Sequence, residues 1–352
     1  MNAAEILFER RGAAGIITLN RPKALNAVTH GMVRAMAAHL EDWAQEPAVT
    51  RVVITAAGDR AFSAGGDIRD LYELGRAGRH DQQLAFWRDE YPLNVAIKRY
   101  PKPFVALIDG LVMGGGVGVS VHGSHRVAGD RFQFAMPEVG IGFFPDVGAT
   151  WFLPRLPGEL GTWCALTGAR LGADDGVSVG IATHRVPSAR LRELTEALCG
   201  AAPVDSVLVE FGTAPGAGPM QPLRPVIDRL FTGKRVEDIL TALAQAATSD
   251  AAHSAWIGQT AATIGTKSPT SLKIALAQIR LGPSLSFEDC MRHEFRIVSR
   301  VVRGHDFYEG VRAAVIDKDN SPHWQPQSLA GVSEADVARY FAPLGPDDLT
   351  LP

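Results

Sequence analysis

Phe104-Val-Ala-Leu-Ile108, Asp109-Gly-Leu-Val-Met113 and Gly114-Gly-Gly-Val-Gly118 follow one another without a break. The first five residues form a short, wholly apolar run, the signature of a strand buried on both faces. Asp109-Gly110 turns the chain, and the glycine triplet opens the next helix. The same grammar recurs on either side. Arg51-Val-Val-Ile-Thr-Ala-Ala57 reads as a strand closed by Gly58-Asp59, and His125-Arg-Val-Ala128 as another. A helix over about Gln83 to Lys98 leads through Pro101-Lys-Pro103 into the central strand. Upstream, residues 4–9 and 14–19 read as two strands joined at Arg11-Gly12. A helical pattern from about Gly31 to Trp43 then spaces Met32, Met36, His39, Leu40 and Trp43 at three and four residues. Buried-type strands alternating with helices make the class α/β, with right-handed crossovers.

The texture changes near Cys199. Residues 200–225 hold Pro203, Pro215, Pro219, Pro222 and Pro225 among several glycines and read as a linker. Beyond it the pattern is helical over about 226–247, 251–264, 269–281 and 286–303, with N-caps in Ser268-Pro269 and Ser284-Leu-Ser286. The organisation expected is a core over 1–199, a Pro/Gly-rich linker over 200–225 and a helical region over 226–352.

Composition removes several classes of function. Thirty-five basic against 38 acidic side chains give a net charge of −3, without the basic excess of a nucleic-acid binder. The cysteines, Cys164, Cys199 and Cys290, form neither a disulfide framework nor a CxxC pair and are expected as buried packing residues. The longest uncharged apolar stretch, Gly110 to Val121, is too short and glycine-rich to span a bilayer. Met1-Asn-Ala-Ala-Glu5 has no apolar leader behind a charged start. The protein is therefore expected in the cytosol, bound neither to membrane nor to nucleic acid.

Three motifs are discounted. Gly176-Val-Ser178-Val-Gly180 matches GxSxG, but a nucleophile elbow needs a strand before the serine and a helix after it. Here residues 171–175 read as loop or short helix and 181–186 as a strand. His293-Glu294 begins an HExxH that ends on Ile297, so no zinc site follows. Gly114-Gly-Gly-Val-Gly118 is followed by Val119, and no GK[ST] occurs, so nucleotide phosphate loops are absent.

Two glycine clusters remain, Ala61-Phe-Ser-Ala-Gly-Gly-Asp-Ile68 and the triplet at 114–116. Glycine lets the backbone approach a ligand, and a helix start offers unpaired N–H groups. Two such donors on one oxygen make an oxyanion hole. Close packing and tight turns explain the same glycines equally well. Phe132-Gln-Phe-Ala-Met-Pro-Glu-Val-Gly-Ile-Gly-Phe-Phe-Pro-Asp-Val-Gly148 sets Glu138 and Asp146 in apolar sequence. Burial and a neighbouring carboxylate would each raise a carboxyl pKa, as catalytic acids and bases require. Capping of a turn is the plainer alternative.

Arg21-Pro-Lys-Ala-Leu-Asn26, Ala64-Gly-Gly-Asp-Ile68, Gly114-Gly-Gly116 and Met136-Pro-Glu138 together resemble the crotonase (enoyl-CoA hydratase/isomerase) superfamily. Within it, Gly142-Phe-Phe-Pro-Asp-Val-Gly148, Gly180-Ile-Ala-Thr-His184, Arg303-Gly-His-Asp-Phe307 and Ile316-Asp-Lys-Asp319 are similar to the 3-hydroxyisobutyryl-CoA hydrolase branch. The matching blocks run from about residue 14 to 326. The resemblance implies a ClpP/crotonase-like ββα spiral core with a C-terminal helical extension. It implies an acyl-CoA substrate, with its carbonyl on the amides of Gly66 and Gly115 and its acyl end lined by Glu90, Gly115, Glu138 and Asp146. It also implies that Lys23, Ala24 and Leu25 lie along the coenzyme, with Ala64, Asp67 and Ile68 in substrate binding. Lys23, Arg69 and Lys318 become phosphate candidates, though each reads equally as a solvated cation. Phe143, Phe144 and Trp151 are either a small branched pocket or core.

One departure from the broad family bears on the reaction. Hydratases carry a second glutamate two residues after the third glycine, and Gly118 stands there. Glycine can handle neither water nor a proton, so hydration is disfavoured and thioester hydrolysis, of the kind found in valine degradation, is favoured. Hydratase or isomerase activity with Asp146 or Glu90 as substitute, and acyl-CoA binding without turnover, are the alternatives. No metal or redox cofactor is expected, coenzyme A being part of the substrate. The partner expected is that small molecule. Self-association through the C-terminal helices, common among crotonases, competes with a tail folded over its own core.

Overall fold

The computed structural model describes residues 4–351. Among the described residues ten strands form two sheets. They are β1 (Ile6–Arg11), β2 (Ala14–Leu19), β3 (Arg51–Ala56), β4 (Ala61–Ser63) and β5 (Phe104–Ile108), then β6 (Leu111–Met113), β7 (His125–Ala128), β8 (Gln133–Ala135), β9 (Leu171–Gly172) and β10 (His184–Arg185). The six-stranded sheet has the order β1-β2-β3-β5-β7-β10, antiparallel only at β1-β2. The four-stranded sheet has the order β4-β6-β8-β9, antiparallel only at β8-β9. Each of β3, β5 and β7 is followed within a few residues by its neighbour β4, β6 or β8 in the other sheet, so the two sheets advance together. That is the ββα spiral the resemblance implied.

The chain divides into two compact units, both discontinuous in sequence. The first comprises 1–67, 89–135 and 170–221 and holds both sheets. Ile16, Val53 and Val105 lie in register across β2, β3 and β5, with Leu107 beside Val127. This row packs on Leu194 and Leu198 of the Leu191–Leu198 helix and on Val204, Val207, Leu208 and Phe211 of the Val204–Phe211 helix. Each buried side chain of this type contributes about 1.5–3 kcal/mol. The Val204–Phe211 helix falls inside the stretch expected as linker. Its four apolar residues at helical spacing were masked by the prolines around them.

The second unit comprises 68–88, 136–169 and 222–352. Its Pro269–Leu281 helix buries Leu272, Ile274, Ala275, Leu276, Gln278 and Ile279, covering nearly every face, as in a central core helix. Ser268 and Ser286 cap as expected, accepting the amides of Ser271 and Asp289. The helix expected over 226–247 is instead two, Arg224–Leu230 and Val236–Ser249. Between them the Gly233 backbone lies so near Ile239 that a Cβ there would stand 2.8 Å from its Cγ1. The glycine triplet starts a helix of only Gly115–Gly118. Cys164 and Cys290 are buried, but Cys199 is half-exposed because it closes the Leu191–Leu198 helix. Ser178 ends the Ala173–Ser178 helix and donates to the Asp175 carbonyl, the reverse of an elbow. Among the described residues no helix is long and apolar enough to cross a membrane.

Candidate active site

The candidate groups of the first unit are mainly backbone. After β4 the chain continues through Ala64, Gly65 and Gly66, alongside the turn that carries Lys23, Ala24 and Leu25. The Ala64 amide donates to the Leu25 carbonyl at 2.9 Å, the Val28 amide to Gly65 at 2.8 Å, and the Asp67 amide to Val28 at 2.9 Å. That turn is a 3-10 helix (Pro22–Ala24) followed by Leu25 and Asn26 in the left-handed region. The buried Asn26 amide pins it, donating to the Ala57 and Ala61 carbonyls at 2.9 Å each while accepting from the Arg21 amide. Asp67 is the ion-pair partner of Arg21 at 2.9 Å.

Gly65 at φ 109° and Gly114 at φ 45° turn the two strips toward each other, a backbone conformation L side chains resist. A Cβ on Gly115 would lie 2.7 Å from Glu90 Oε1 and 3.1 Å from the Gly66 nitrogen. So the two predicted donors and Glu90 converge on one small volume. Gly115 is the first residue of its helix, where the amide has no intrahelical acceptor. Neither it nor the Gly66 amide donates to a protein acceptor among the described residues. Two free N–H groups within a few ångströms of each other can hold a carbonyl oxygen as it gains charge. Glu90 lies buried on the His80–Lys98 helix. Asn94, one helical turn on, is fully buried with neither amide atom hydrogen-bonded among the described residues. Sequence reading passed it by, since nothing in the pattern distinguishes it from a capping asparagine.

The candidate groups of the second unit are side chains. Glu138 follows Pro137 at the start of a 3-10 turn (Glu138–Ile141) that ends on Gly142 in the left-handed region. Its side chain is buried, and Oε2 has no hydrogen-bond partner among the described residues. Burial pushes its pKa well above the ordinary carboxylate range, and the charge of Asp146 pushes the same way, against its own backbone amide. Lys267 packs over this turn, its Nζ 3.4 Å from where a Cβ on Gly140 would be, and burial lowers its pKa. Asp146 is also buried. It precedes Val147 at φ 51° and Gly148 at φ 90°, a tight turn into the Ala149–Phe152 helix.

Sequence reading missed what secures that turn. The Glu294 carboxylate accepts the amides of Gly148 at 2.7 Å and Thr150 at 2.9 Å. Gln278 Nε2 donates to the Pro145 carbonyl at 2.6 Å and to Thr150 Oγ1 at 3.0 Å. Glu294 is fully buried, and burial with the Asp146 charge pushes its pKa up to about 8 against the two amides. Dismissing His293-Glu294 as a zinc motif removed the glutamate from view.

Of the other candidates in this unit, Arg69 donates to the Val315 carbonyl at 3.0 Å and Lys318 stands exposed three residues further on. Phe143 and Phe144 are core, Phe143 stacking on Trp87 at 5.7 Å and packing against Phe307. Trp151 lies under the Arg155 guanidinium.

The family described as enoyl-CoA hydratase/isomerase matches residues 14–341. A relative from Danio rerio named mitochondrial 3-hydroxyisobutyryl-CoA hydrolase is 46% identical, over 99% of this chain and 92% of its own. The Homo sapiens protein of that name is 44% identical over 99% and 91%. The chain belongs to the enoyl-CoA hydratase/isomerase family, in the branch of the 3-hydroxyisobutyryl-CoA hydrolases. Within the family, a solved structure titled carnitinyl-CoA dehydratase from Mycobacterium thermoresistibile superposes with a TM-score of 0.92 at 44% identity, covering 99% of both chains. One titled enoyl-CoA hydratase from Rhodobacter sphaeroides gives 0.91 at 41%, covering 99% and 100%. The crotonase fold is thereby established. The cytosolic location is not: the relatives are named mitochondrial. That expectation rested on the lack of an apolar leader and of a membrane span. Neither bears on a mitochondrial address, which is amphipathic and basic.

Proposed function

We propose that the protein hydrolyses the thioester of a short-chain 3-hydroxyacyl-CoA, with 3-hydroxyisobutyryl-CoA as substrate and valine degradation as setting. The observation that carries the proposal is Glu138, a buried carboxylate with one oxygen unpartnered, in a chain whose residue 118 is a buried glycine rather than a second acid. The names of the curated relatives point the same way. The Gly66 and Gly115 amides take the charge that develops on the carbonyl oxygen, each donor contributing about 3–4 kcal/mol to the transition state. Glu138 either attacks the carbonyl carbon, so that the C–S bond breaks, CoA leaves as thiolate and an acyl–Glu138 anhydride is left for water, or takes the proton of an attacking water. Asp146 and Glu90 bind the 3-hydroxyl or steer the water. The residues assigned are carboxylates and amides, and coenzyme A enters as part of the substrate. Lys23, Arg69 and Lys318, all exposed, are assigned to its phosphates, with Ala24, Leu25, Ala64, Asp67 and Ile68 beside it.

The test is free thiol released from 3-hydroxyisobutyryl-CoA, with crotonyl-CoA hydration in parallel. Release that disappears in Glu138→Ala, with crotonyl-CoA untouched, is expected. Consumption of the enoyl thioester without thiol release would establish the hydratase reading, which the titles of the two solved structures favour. Transfer of 18O from water into the Glu138 carboxylate in a single turnover, or a Glu138 hydroxamate trapped by hydroxylamine, marks the anhydride route, and an unlabelled carboxylate with no trapped acyl or glutamyl hydroxamate the general-base route. Self-association is read by sedimentation of the purified chain.

A further inference from the structure

Four hydrogen bonds converge on the turn that carries Asp146. Two run from its amides to Glu294 and two come from Gln278. Such turns are commonly held by local capping, yet both clamping residues lie on helices more than a hundred residues further along the chain, Pro269–Leu281 and Phe287–Val301. Val147 and Gly148 both occupy the left-handed region, so an L side chain is kept in a sparsely populated conformation next to Asp146. Something must over-determine that geometry, because a strained turn relaxes once its supports go. Glu294 can do so because its two oxygens accept two amides, two residues apart, from the end of one turn. The titratable groups facing it are Asp146 and, one turn earlier on its own helix, the neutral Cys290 thiol, which burial and Glu294 together push up to about 12. Burying a carboxyl fully, beside another carboxylate, is costly unless its bonds serve the structure.

We propose that Glu294 is a positioning residue for the reaction: by accepting the Gly148 and Thr150 amides it holds Asp146 where the acyl group is handled. The inference rests on the hydrolase reading for its catalytic part. Glu294 touches no substrate and acts through Asp146. A glutamine here is isosteric but accepts through one atom only, turning its NH2 toward an N–H donor, so the turn loses one anchor and meets a repulsive contact.

The experiment uses the full-length protein and the variants Glu294→Gln, Glu294→Asp, Asp146→Asn and the Glu294→Gln/Asp146→Asn pair. Thiol release gives kcat and KM, and backbone hydrogen exchange is followed over 145–152. Glu294→Gln is expected to lower kcat about 10- to 100-fold with KM within about threefold, the loss typical of a group displaced by an ångström or less. Glu294→Asp, which keeps the carboxylate, recovers part of it. In the Asp146→Asn background Glu294→Gln costs less than about twofold more, because both act through one group. Exchange over 145–152 accelerates in Glu294→Gln while the rest of the chain keeps its protection. Multiplicative losses in the double variant, wild-type kcat in Glu294→Gln, or unchanged exchange overturns the proposal. Should Glu294→Gln fail to fold, Glu294→Asp carries the same comparison. A wild-type protein that releases no thiol defeats the hydrolase reading, and the exchange measurement then decides the clamp by itself.

Discussion

The two units build their chemistry from opposite materials. In the first, the groups proposed to work are main-chain amides, placed by Gly65, Gly114 and Gly115, each within a few residues of the strand that aims it. In the second they are carboxylates, and the turn that carries Asp146 is bonded by Glu294 and Gln278 from distant helices. A backbone site is disrupted mainly by adding atoms. A side-chain site is disrupted by changing one functional group, at the residue or at its support.

The largest effect tests the side-chain half. Glu138→Gln keeps the shape and removes the charge, and kcat for thiol release is expected to fall at least about 10³-fold. Activity within tenfold of wild type would move the chemistry off Glu138. Next comes the backbone half. Gly115→Ala puts a methyl 2.7 Å from Glu90 Oε1 and 3.1 Å from the Gly66 nitrogen, and a loss of about 10²–10³ in kcat is expected, as when one oxyanion donor is lost. A fully active Gly115→Ala enzyme would remove the donor pair from the mechanism.

The pH dependence follows from the buried carboxyls. Glu138 must be ionised to attack or to take a proton, and its pKa is raised, so kcat climbs as pH rises through a range above that of an ordinary carboxylate. Stability runs the other way. A carboxyl whose folded pKa lies above its unfolded value binds protons preferentially in the native state, so its contribution is full at low pH and is lost as pH rises. For Glu294 the window lies between 4.5 and about 8. The thermal midpoint is therefore expected to fall across that window while kcat rises, and Glu294→Gln to flatten part of the fall. A pH-rate profile level from about pH 5 to 8 would put Glu138 back in the ordinary range. The smallest effect is structural. Ser268 Oγ accepts the Ser271 amide at 3.1 Å and donates to Asp306 at 2.6 Å. Ser268→Ala should cost about 1–2 kcal/mol, read as a lower thermal midpoint, with kcat unchanged.

The backbone half was the legible one. Its strands are continuous apolar runs, and the glycines that aim its amides sit at strand ends where a reader looks for them. β5 and β7 fall on the expected residues, 104–108 and 125–128. Glu138 and Asp146 stood out as acids in apolar sequence, and both are buried. Their supports did not stand out, because Glu294 and Gln278 meet the turn only through the fold and carry no local signal. The Val204–Phe211 helix was hidden for a related reason: composition over a 26-residue window, 200–225, outweighed an eight-residue apolar pattern within it. The five-residue break at 231–235 escaped because apolar periodicity resumes on both sides of it.

The discontinuity of the two units bears on how the chain is made. Among the described residues every strand is complete by Arg185, and the helices packed under the large sheet are complete by Phe211. On the ribosome the sheets can close while the C-terminal third is still being translated. Segments 68–88 and 136–169 leave the tunnel early, yet belong to a unit whose remaining residues, 222–352, come last. They carry Phe86, Trp87, Phe144 and Leu153, all buried in the finished protein. These two segments are where a nascent or truncated chain exposes apolar surface longest, and where chaperone capture or aggregation would begin.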